Sequence, residues 1–247
     1  PNLSQPELEL NPYANSGSDN FKTHMTTPFD FAQKVAVIAG GTGGLGTVLR
    51  SELEAKGCFV VAISRAHISD SSHITADLRS PEAATSAVAE VVAKHGSVDI
   101  VINAMGVVAF GPIDTTSVDT IEELFLTNTF GHIFLMQAAL QNMKTGSVLV
   151  GISGVIAEQN LPGMSVYGAS KAATRSFNEA LAREARRSGV RVIDARPPHT
   201  ETGLASRAIA GTPPKFPAGL DPLQVARRIV QAIADGETDL PSSAFAL

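Results

Sequence analysis

Lys34-Val35-Ala36-Val37-Ile38-Ala39-Gly40-Gly41-Thr42-Gly43-Gly44-Leu45-Gly46 is the stretch on which the rest of the chain is read. A short, mostly β-branched run ends in a glycine cluster. Leu45, Val48, Leu49 and Leu53 then recur at helical spacing. A tight strand-to-helix turn needs residues without Cβ, both for positive φ and for close approach of backbone to a ligand. The helix that starts near Gly44 aims its free N–H groups and the positive end of its dipole into that turn. This is a ready anion site that fits a pyrophosphate. Gly40, Thr42, Gly43, Gly44, Leu45 and Gly46 are therefore candidate cofactor contacts. A P-loop is excluded, because no Gly-Lys-Ser/Thr follows.

Outward from this turn, strands and helices alternate. Cys58–Ile63 is a near-continuous apolar run, the pattern of a parallel strand covered on both faces, and Val98–Ala104, Gly146–Ile152 and Val190–Ala195 read as further strands. A weaker short strand falls at Ile74–Ala76. Helical patterns cover 81–95, 118–143, 165–188 and 223–234, with Asp221-Pro222 opening the last. Such alternation predicts a single α/β domain, a doubly wound (Rossmann-type) parallel sheet with helices on both faces. That domain spans 25–247. Residues 1–24 are polar, rich in Asn, Ser and Pro, and without either period. They read as a cloning-derived tag or a disordered arm, the tag favoured because His24-Met25 resembles a cloning scar.

Composition narrows the function. The 247 residues are 44% hydrophobic and 17% charged, enough apolar material for a large core. The net charge of −5 speaks against a nucleic-acid footprint. The apolar stretches at 100–111 and 148–157 are too short to span a bilayer, so no membrane partner is expected. Cys58 is the one cysteine and has no internal partner for a disulfide, which points to a reducing, cytoplasmic setting. The six histidines (24, 67, 73, 95, 132, 199) show no metal-ligand spacing, so no metal is expected. His199 either borders the cofactor or substrate or is a surface-loop residue, the latter favoured.

Further along, several short patterns fall in order. Ala39-Gly40-x-x-x-Gly44-x-Gly46 resembles the Thr-Gly-x-x-x-Gly-x-Gly of the short-chain dehydrogenase/reductase family, with Ala39 in place of the usual hydroxyl residue. Asn103-Ala104-Met105-Gly106 is similar to that family's Asn-Asn-Ala-Gly turn. Tyr167-Gly-Ala-Ser-Lys171 matches Tyr-x-x-x-Lys, and Asn128 matches the family's active-site Asn. Pro197-Pro198-x-x-x-Thr202 resembles Pro-Gly-x-x-x-Thr. The resemblance runs from about Lys34 to the end of the chain. It implies a nicotinamide cofactor, a ketone or aldehyde interconverted with an alcohol by hydride transfer, and a homodimer or homotetramer. It also places Asp77, Leu78, Asn103, Ala104, Gly106, Pro197 and Thr202 beside the cofactor.

The end of the second strand bears on which cofactor. Ser64-Arg65 stands there and no acid follows until Asp70. An acidic residue would hold a ribose 2′-hydroxyl, whereas Arg favours a 2′-phosphate. NADP(H) is expected over NAD(H), with Ser64 a further donor. Tyr167 and Lys171 lie on one helix face. An ammonium beside a phenol lowers the phenol's pKa, which suits it to give or take the proton as hydride moves. The resemblance assigns Lys171 a second role on the ribose and Asn128 a proton-relay water.

The family's carbonyl-polarising Ser or Thr sits thirteen residues before the Tyr. Here that is residue 154, a glycine. Either Ser153 serves from a loop one residue longer, or the serine function is missing. Gly154, Ala104 and Pro198 keep a second possibility open, a non-catalytic nucleotide-binding regulatory or interaction protein on the same fold. The loops after Gly106 and Ser153 and through 203–219 carry Val107, Val108, Phe110, Ile156, Leu161, Met164, Leu204, Ile209 and Phe216, which predict a weakly polar substrate of modest size.

Overall fold

A computed structural model describes residues 28–246. The expected tag or arm at 1–24 lies outside the described residues. Seven parallel strands form one sheet: β1 (Val35–Ala39), β2 (Phe59–Ser64), β3 (His73–Thr75), β4 (Ile100–Asn103), β5 (Val148–Ile152), β6 (Arg191–Ala195) and β7 (Asp239–Leu240). Their spatial order is β3-β2-β1-β4-β5-β6-β7. The chain winds one way from β1 to β3 and the other way from β4 to β7. The point of reversal therefore lies between β1 and β4, which pair with Ala36 opposite Ile100 and Ala39 opposite Asn103.

The helices are α1 (Gly44–Ala55), α2 (Pro81–His95), α3 (Val118–Phe125), α4 (Gly131–Leu140), α5 (Ser165–Ala185) and α6 (Pro222–Asp235). Side chains along a strand alternate faces, and both faces are covered here. Ala36, Ile38, Ile102, Val150 and Ile193 pack with Leu49 and Leu53 of α1 and Ile229 and Ile233 of α6. Val35, Val37, Val101, Leu149 and Val192 pack on the opposite face with Val88 of α2, Leu135 of α4 and Leu181 of α5. Burial on both faces is why these strands read as unbroken apolar runs.

Two features depart from the expected elements. The helix expected over 118–143 is broken by a π-helical turn at Leu126–Phe130 and ends at Leu140. Thr127, Asn128 and Thr129 are buried in that turn and spend their polar groups on neighbouring segments. The Thr129 hydroxyl donates to the Ser170 carbonyl at 2.9 Å, and the Thr174 hydroxyl donates to the Asn128 carbonyl, also at 2.9 Å. A locally widened helix of this kind suits a functional position. The second departure is β7. Its two residues carry no apolar period, and the strand is held on β6 by backbone pairing and by Arg196, whose Nη2 reaches Asp239 at 2.7 Å.

Candidate active site

A cleft of about 570 Å³ opens where the C-terminal ends of the strands meet the reversal of winding, the expected ligand position for such a sheet. The loops after β1, β2, β4, β5 and β6 all contribute to its wall. Gly40, Thr42, Gly43, Gly44 and Leu45 line one end. Gly40 has φ +73°, and a Cβ there would stand 2.9 Å from the Met105 nitrogen. A Cβ on Gly44 would come within 2.4 Å of the Thr202 carbonyl oxygen. The turn is therefore glycine-rich for packing as well as for access. Gly43 caps α1 without a side-chain hydrogen bond, leaving the first-turn N–H groups for a ligand. Gly46, by contrast, does not line the cleft. It is buried where a Cβ would meet the Gly40 carbonyl oxygen at 2.1 Å, so it lets α1 pack on the turn.

Ser64 and Arg65 border the cleft beyond β2, beside Ile63, Ala76 and Leu78. Among the described residues Arg65 enters no ion pair. Asp70, the first acid after β2, is turned to Arg50 of α1 at 3.4 Å and accepts from Ser72 at 2.8 Å. It does not reach the cleft. Ser64 Oγ shares a hydrogen bond with His73 Nε2 at 2.8 Å. A positive helix end, a guanidinium in no ion pair among the described residues and an apolar slot thus share one wall of the cleft.

Two expected cofactor contacts fall elsewhere. Asp77 is clamped by Arg79, which also donates to Glu123 at 2.6 Å, and Asp77 is not part of the cleft wall. Asn103 is buried. Its Oδ1 accepts from the Met105 N–H at 2.9 Å and its Nδ2 meets His132 Nδ1 at 2.8 Å. Both are positioning residues for the loops they sit in. Ala104, Gly106, Leu78, Pro197 and Thr202 do line the cleft, as expected.

Tyr167 and Lys171 stand together in the wall, placed there by α5. The Lys171 ammonium donates to the Ile152 carbonyl at 2.8 Å. Burial pushes Lys171 down to about 8, with the Asp194 carboxylate acting the other way. Burial also pushes the Tyr167 phenol up to about 12. The expected lowering of the phenol is not seen: burial is the cause of its shift, and it acts upward.

Asn128 is placed differently from the relay expected of it. Its Oδ1 accepts from the Val107 N–H at 2.9 Å, and its Nδ2 donates to the Val107 carbonyl and to Ser170 Oγ, each at 3.0 Å. Its main-chain carbonyl is taken by Thr174. Asn128 therefore holds the loop after Gly106 against α5, outside the cleft wall.

Ser153 requires the clearest correction. It is 0% exposed, and its hydroxyl donates to the Asp194 carboxylate at 2.8 and 3.0 Å. It faces into the sheet and not toward Tyr167. The cause lies in a buried polar chain that its neighbours complete. Asn178 Nδ2 donates to Asp194 at 2.7 Å, so its Oδ1 accepts from His132 Nε2, also at 2.7 Å. Arg196 Nη1 donates to Asp194 at 2.5 Å and its Nε pairs with Glu158. Burial holds His132 neutral, its pKa lowered to about 4, which matches a ring that donates from Nε2 and accepts at Nδ1. Gly154, with φ +79°, borders the cleft next in the chain after Ser153, followed by Val155 and Ile156.

The far part of the cleft is apolar. Val108, Phe110, Ile156, Leu161, Met164, Leu204 and Phe216 line it, whereas Val107 and Ile209 do not. His199 stacks on Phe216 with ring centroids 4.8 Å apart and lines the cleft rather than an outer loop. Arg207 also reaches the wall, its Nη2 3.4 Å from the Thr202 carbonyl. No spacing in the sequence singled it out. No cluster of metal-ligating side chains occurs among the described residues, and none of the described helices is long and apolar enough to cross a membrane.

Fold and cleft together define a doubly wound protein of the dinucleotide-binding type, with a Tyr–Lys pair in the same cleft as the glycine turn. Residues 34–212 match the family model described as short chain dehydrogenase. The chain belongs to the short-chain dehydrogenase/reductase family, whose members are oxidoreductases that bind a nicotinamide cofactor and act on small molecules. It is 31% identical to a dehydrogenase/reductase SDR family member 7B from Bos taurus, with 83% of this chain and 72% of that one covered. It is 28% identical to the hydroxynaphthalene reductase arp2 of Aspergillus fumigatus, with 82% and 78% covered. Among solved structures, a short-chain dehydrogenase from Burkholderia cenocepacia in complex with NADP superposes with a TM-score of 0.75 at 24% identity, covering 88% of this chain and 100% of that one.

Proposed function

We propose that the protein is an NADP(H)-dependent oxidoreductase that interconverts a ketone or aldehyde and an alcohol. The observation that carries this reading is one continuous cleft holding the α1 N-terminus, Arg65 and the Tyr167–Lys171 pair. The α1 turn would take the pyrophosphate, Arg65 and Ser64 the 2′-phosphate, and the slot formed by Ile63, Ala76 and Leu78 the adenine. The cofactor supplies or accepts the hydride. Tyr167 gives its hydroxyl proton to the carbonyl oxygen, or takes it from the alcohol. Lys171, fixed on the Ile152 carbonyl, holds the ribose and its charge favours the phenolate. The relative named a hydroxynaphthalene reductase and the fold neighbour bound to NADP support the chemistry and the cofactor.

The test is titration with NADPH and NADH followed by a panel of ketones and aldehydes. Tight, selective NADPH binding with oxidation on at least one carbonyl is expected. Binding without turnover would favour the second reading, a nucleotide-binding regulatory or interaction protein. Ser153 turned away from the cleft is the observation on its side. We further propose a cytoplasmic homodimer or homotetramer, to be measured by light scattering. The free, buried Cys58 thiol agrees with a reducing compartment.

A further inference from the structure

The wall of the cleft beside Tyr167 has a gap in it. Gly154 borders the cleft, and a Cβ built on it would meet nothing nearer than the Pro197 carbonyl oxygen at 4.0 Å. The gap is held open by the backbone. At φ +79° any residue with a side chain is strained. The neighbouring backbone hydrogen-bond donors are all engaged. The N–H groups of Ser153 and Gly154 go to the Ala195 carbonyl at 3.0 and 3.2 Å, and that of Val155 goes to the Pro197 carbonyl at 3.0 Å. The Ser153 hydroxyl is given to Asp194. One N–H of the Lys171 ammonium is fixed on the Ile152 carbonyl, and in the reading above the ribose takes the others. Val155, Ile156 and Met164, which line the same cleft, carry no side-chain donor, the Thr200 hydroxyl is given to the Pro198 carbonyl, and His199 Nε2 stands 3.5 Å from Glu201. A carbonyl placed between Tyr167 and Gly154 therefore meets the Tyr167 hydroxyl as its one uncommitted protein hydroxyl. The negative charge that grows on its oxygen as hydride arrives needs more than that to be stabilised well.

We propose that Gly154 is a specificity-determining residue, and that the substrate supplies the second donor itself. This rests on the oxidoreductase reading above. The substrate class is a carbonyl compound with its own hydroxyl next to the carbonyl, as in an ortho-hydroxyaryl ketone, with that hydroxyl lodged over Gly154. In the reduction, hydride from the reduced nicotinamide forms the new C–H bond, and the carbonyl π electrons move to oxygen. That oxygen takes the Tyr167 proton. The substrate's own hydroxyl hydrogen-bonds to the same oxygen and keeps its proton. The nicotinamide is oxidised and the carbonyl reduced. The apolar walls from Phe110, Ile156 and Phe216 suit an aryl ring.

The experiment compares NADPH-dependent reduction of ortho-hydroxyacetophenone, para-hydroxyacetophenone and ortho-methoxyacetophenone. The para isomer keeps the electronic effect of the hydroxyl and loses its proximity. The ortho-hydroxy ketone should exceed both others in kcat/KM by about 100-fold, the scale of one oxyanion donor. A second readout is calorimetric titration of the ortho-hydroxy ketone into the NADP⁺-bound protein. Gly154→Ser fills the gap and should weaken that binding by about tenfold or more, while NADP⁺ affinity holds. Equal kcat/KM values across the three ketones would overturn the proposal while leaving the oxidoreductase reading intact, as would unchanged ketone binding in a folded Gly154→Ser. Tight NADPH binding with none of the three ketones or the wider panel reduced would overturn the oxidoreductase reading, and this proposal with it. Should Gly154→Ser fail to fold, the three ketones on the wild-type protein decide.

Discussion

Replacing Ser153 with alanine separates a buried structural hydroxyl from a catalytic one. The side chain is fully buried and donates to both oxygens of Asp194, at 2.8 and 3.0 Å. A hydrogen bond to a charged group contributes about 1.5–3 kcal/mol. Asp194 keeps Asn178 Nδ2 at 2.7 Å and Arg196 Nη1 at 2.5 Å. The carboxylate is therefore never left unpaired, which sets the loss at the lower end, about 1.5–2 kcal/mol. For a domain of this size each kcal/mol moves Tm by about 2–4 °C, giving a fall of roughly 3–8 °C. In urea the midpoint should drop with the m-value unchanged. Turnover and NADPH affinity should stay within about twofold, because the hydroxyl does not face the cleft. Had it polarised the carbonyl, kcat would fall by about 10²–10³. Thermal melts and steady-state kinetics on the same sample decide. A Ser153→Ala protein with an unchanged Tm and a hundredfold lower kcat would refute the placement of this side chain in the sheet.

Arg65→Asp should weaken NADPH by about tenfold or more relative to NADH, since a partly exposed charge-assisted contact is replaced by a repelling carboxylate; parallel fluorescence titrations of the two cofactors test it, and equal losses would remove Arg65 from the 2′-phosphate. Tyr167→Phe should abolish turnover and leave NADPH affinity nearly unchanged, because only the transferable proton is lost; a variant that keeps most of its kcat would place the proton donor elsewhere. Gly44→Ala should lose NADPH binding, its Cβ falling 2.4 Å from the Thr202 carbonyl oxygen at the phosphate turn; circular dichroism distinguishes this from unfolding. Lys171 sits at about 8 rather than its ordinary 10.5, so its charge is present below pH 8 and lost above it. Turnover should therefore decline as pH rises through 8, and a pH–rate profile flat to pH 10 would contradict that. The same depressed value makes folding stability rise between pH 8 and 10.5, where the unfolded chain holds a proton that the folded one does not.

The doubly wound sheet was legible from the chain because local chemistry specifies it. Strands buried on both faces are mostly apolar, and β1, β2, β4 and β5 are, with a polar residue only at the ends of β2 and β4; β6 shows the same pattern in Val192 and Ile193 but carries Asp194 into the interior. The turn after β1 must lack side chains, and five of its seven residues are glycine. Tyr167 and Lys171 share a helix face by spacing alone. The elements that escaped are those held by distant partners. β7 has two residues and is fastened by β6 and Arg196. The π-helical turn exists because Thr129 and Thr174 bond across to each other's helices, which no single-segment period reveals.

The site divides the same way. Which residue types line the cleft was visible in order and spacing, since a dinucleotide demands glycines at one place and the family pattern places a helix-borne Tyr–Lys pair at another. Where Ser153, Asn128, Asn103 and Asp77 point was not. Ser153, Asn103 and Asp77 each adjoin a cleft-lining residue in the chain, Asn128 lies against Gly106 across the fold, and each has a side chain that either the cleft or the packed interior could use. The interior prevailed through partners far away in the chain: Asp194 for Ser153, Val107 for Asn128, His132 for Asn103. Asp77 took Arg79, only two residues on, because Glu123 of α3 holds that guanidinium in place. A buried carboxylate or amide without a partner costs more than an exposed one gains. Those long-range partners, which only the assembled fold brings together, decided which polar groups face the substrate and left Gly154 in the place where a hydroxyl was sought.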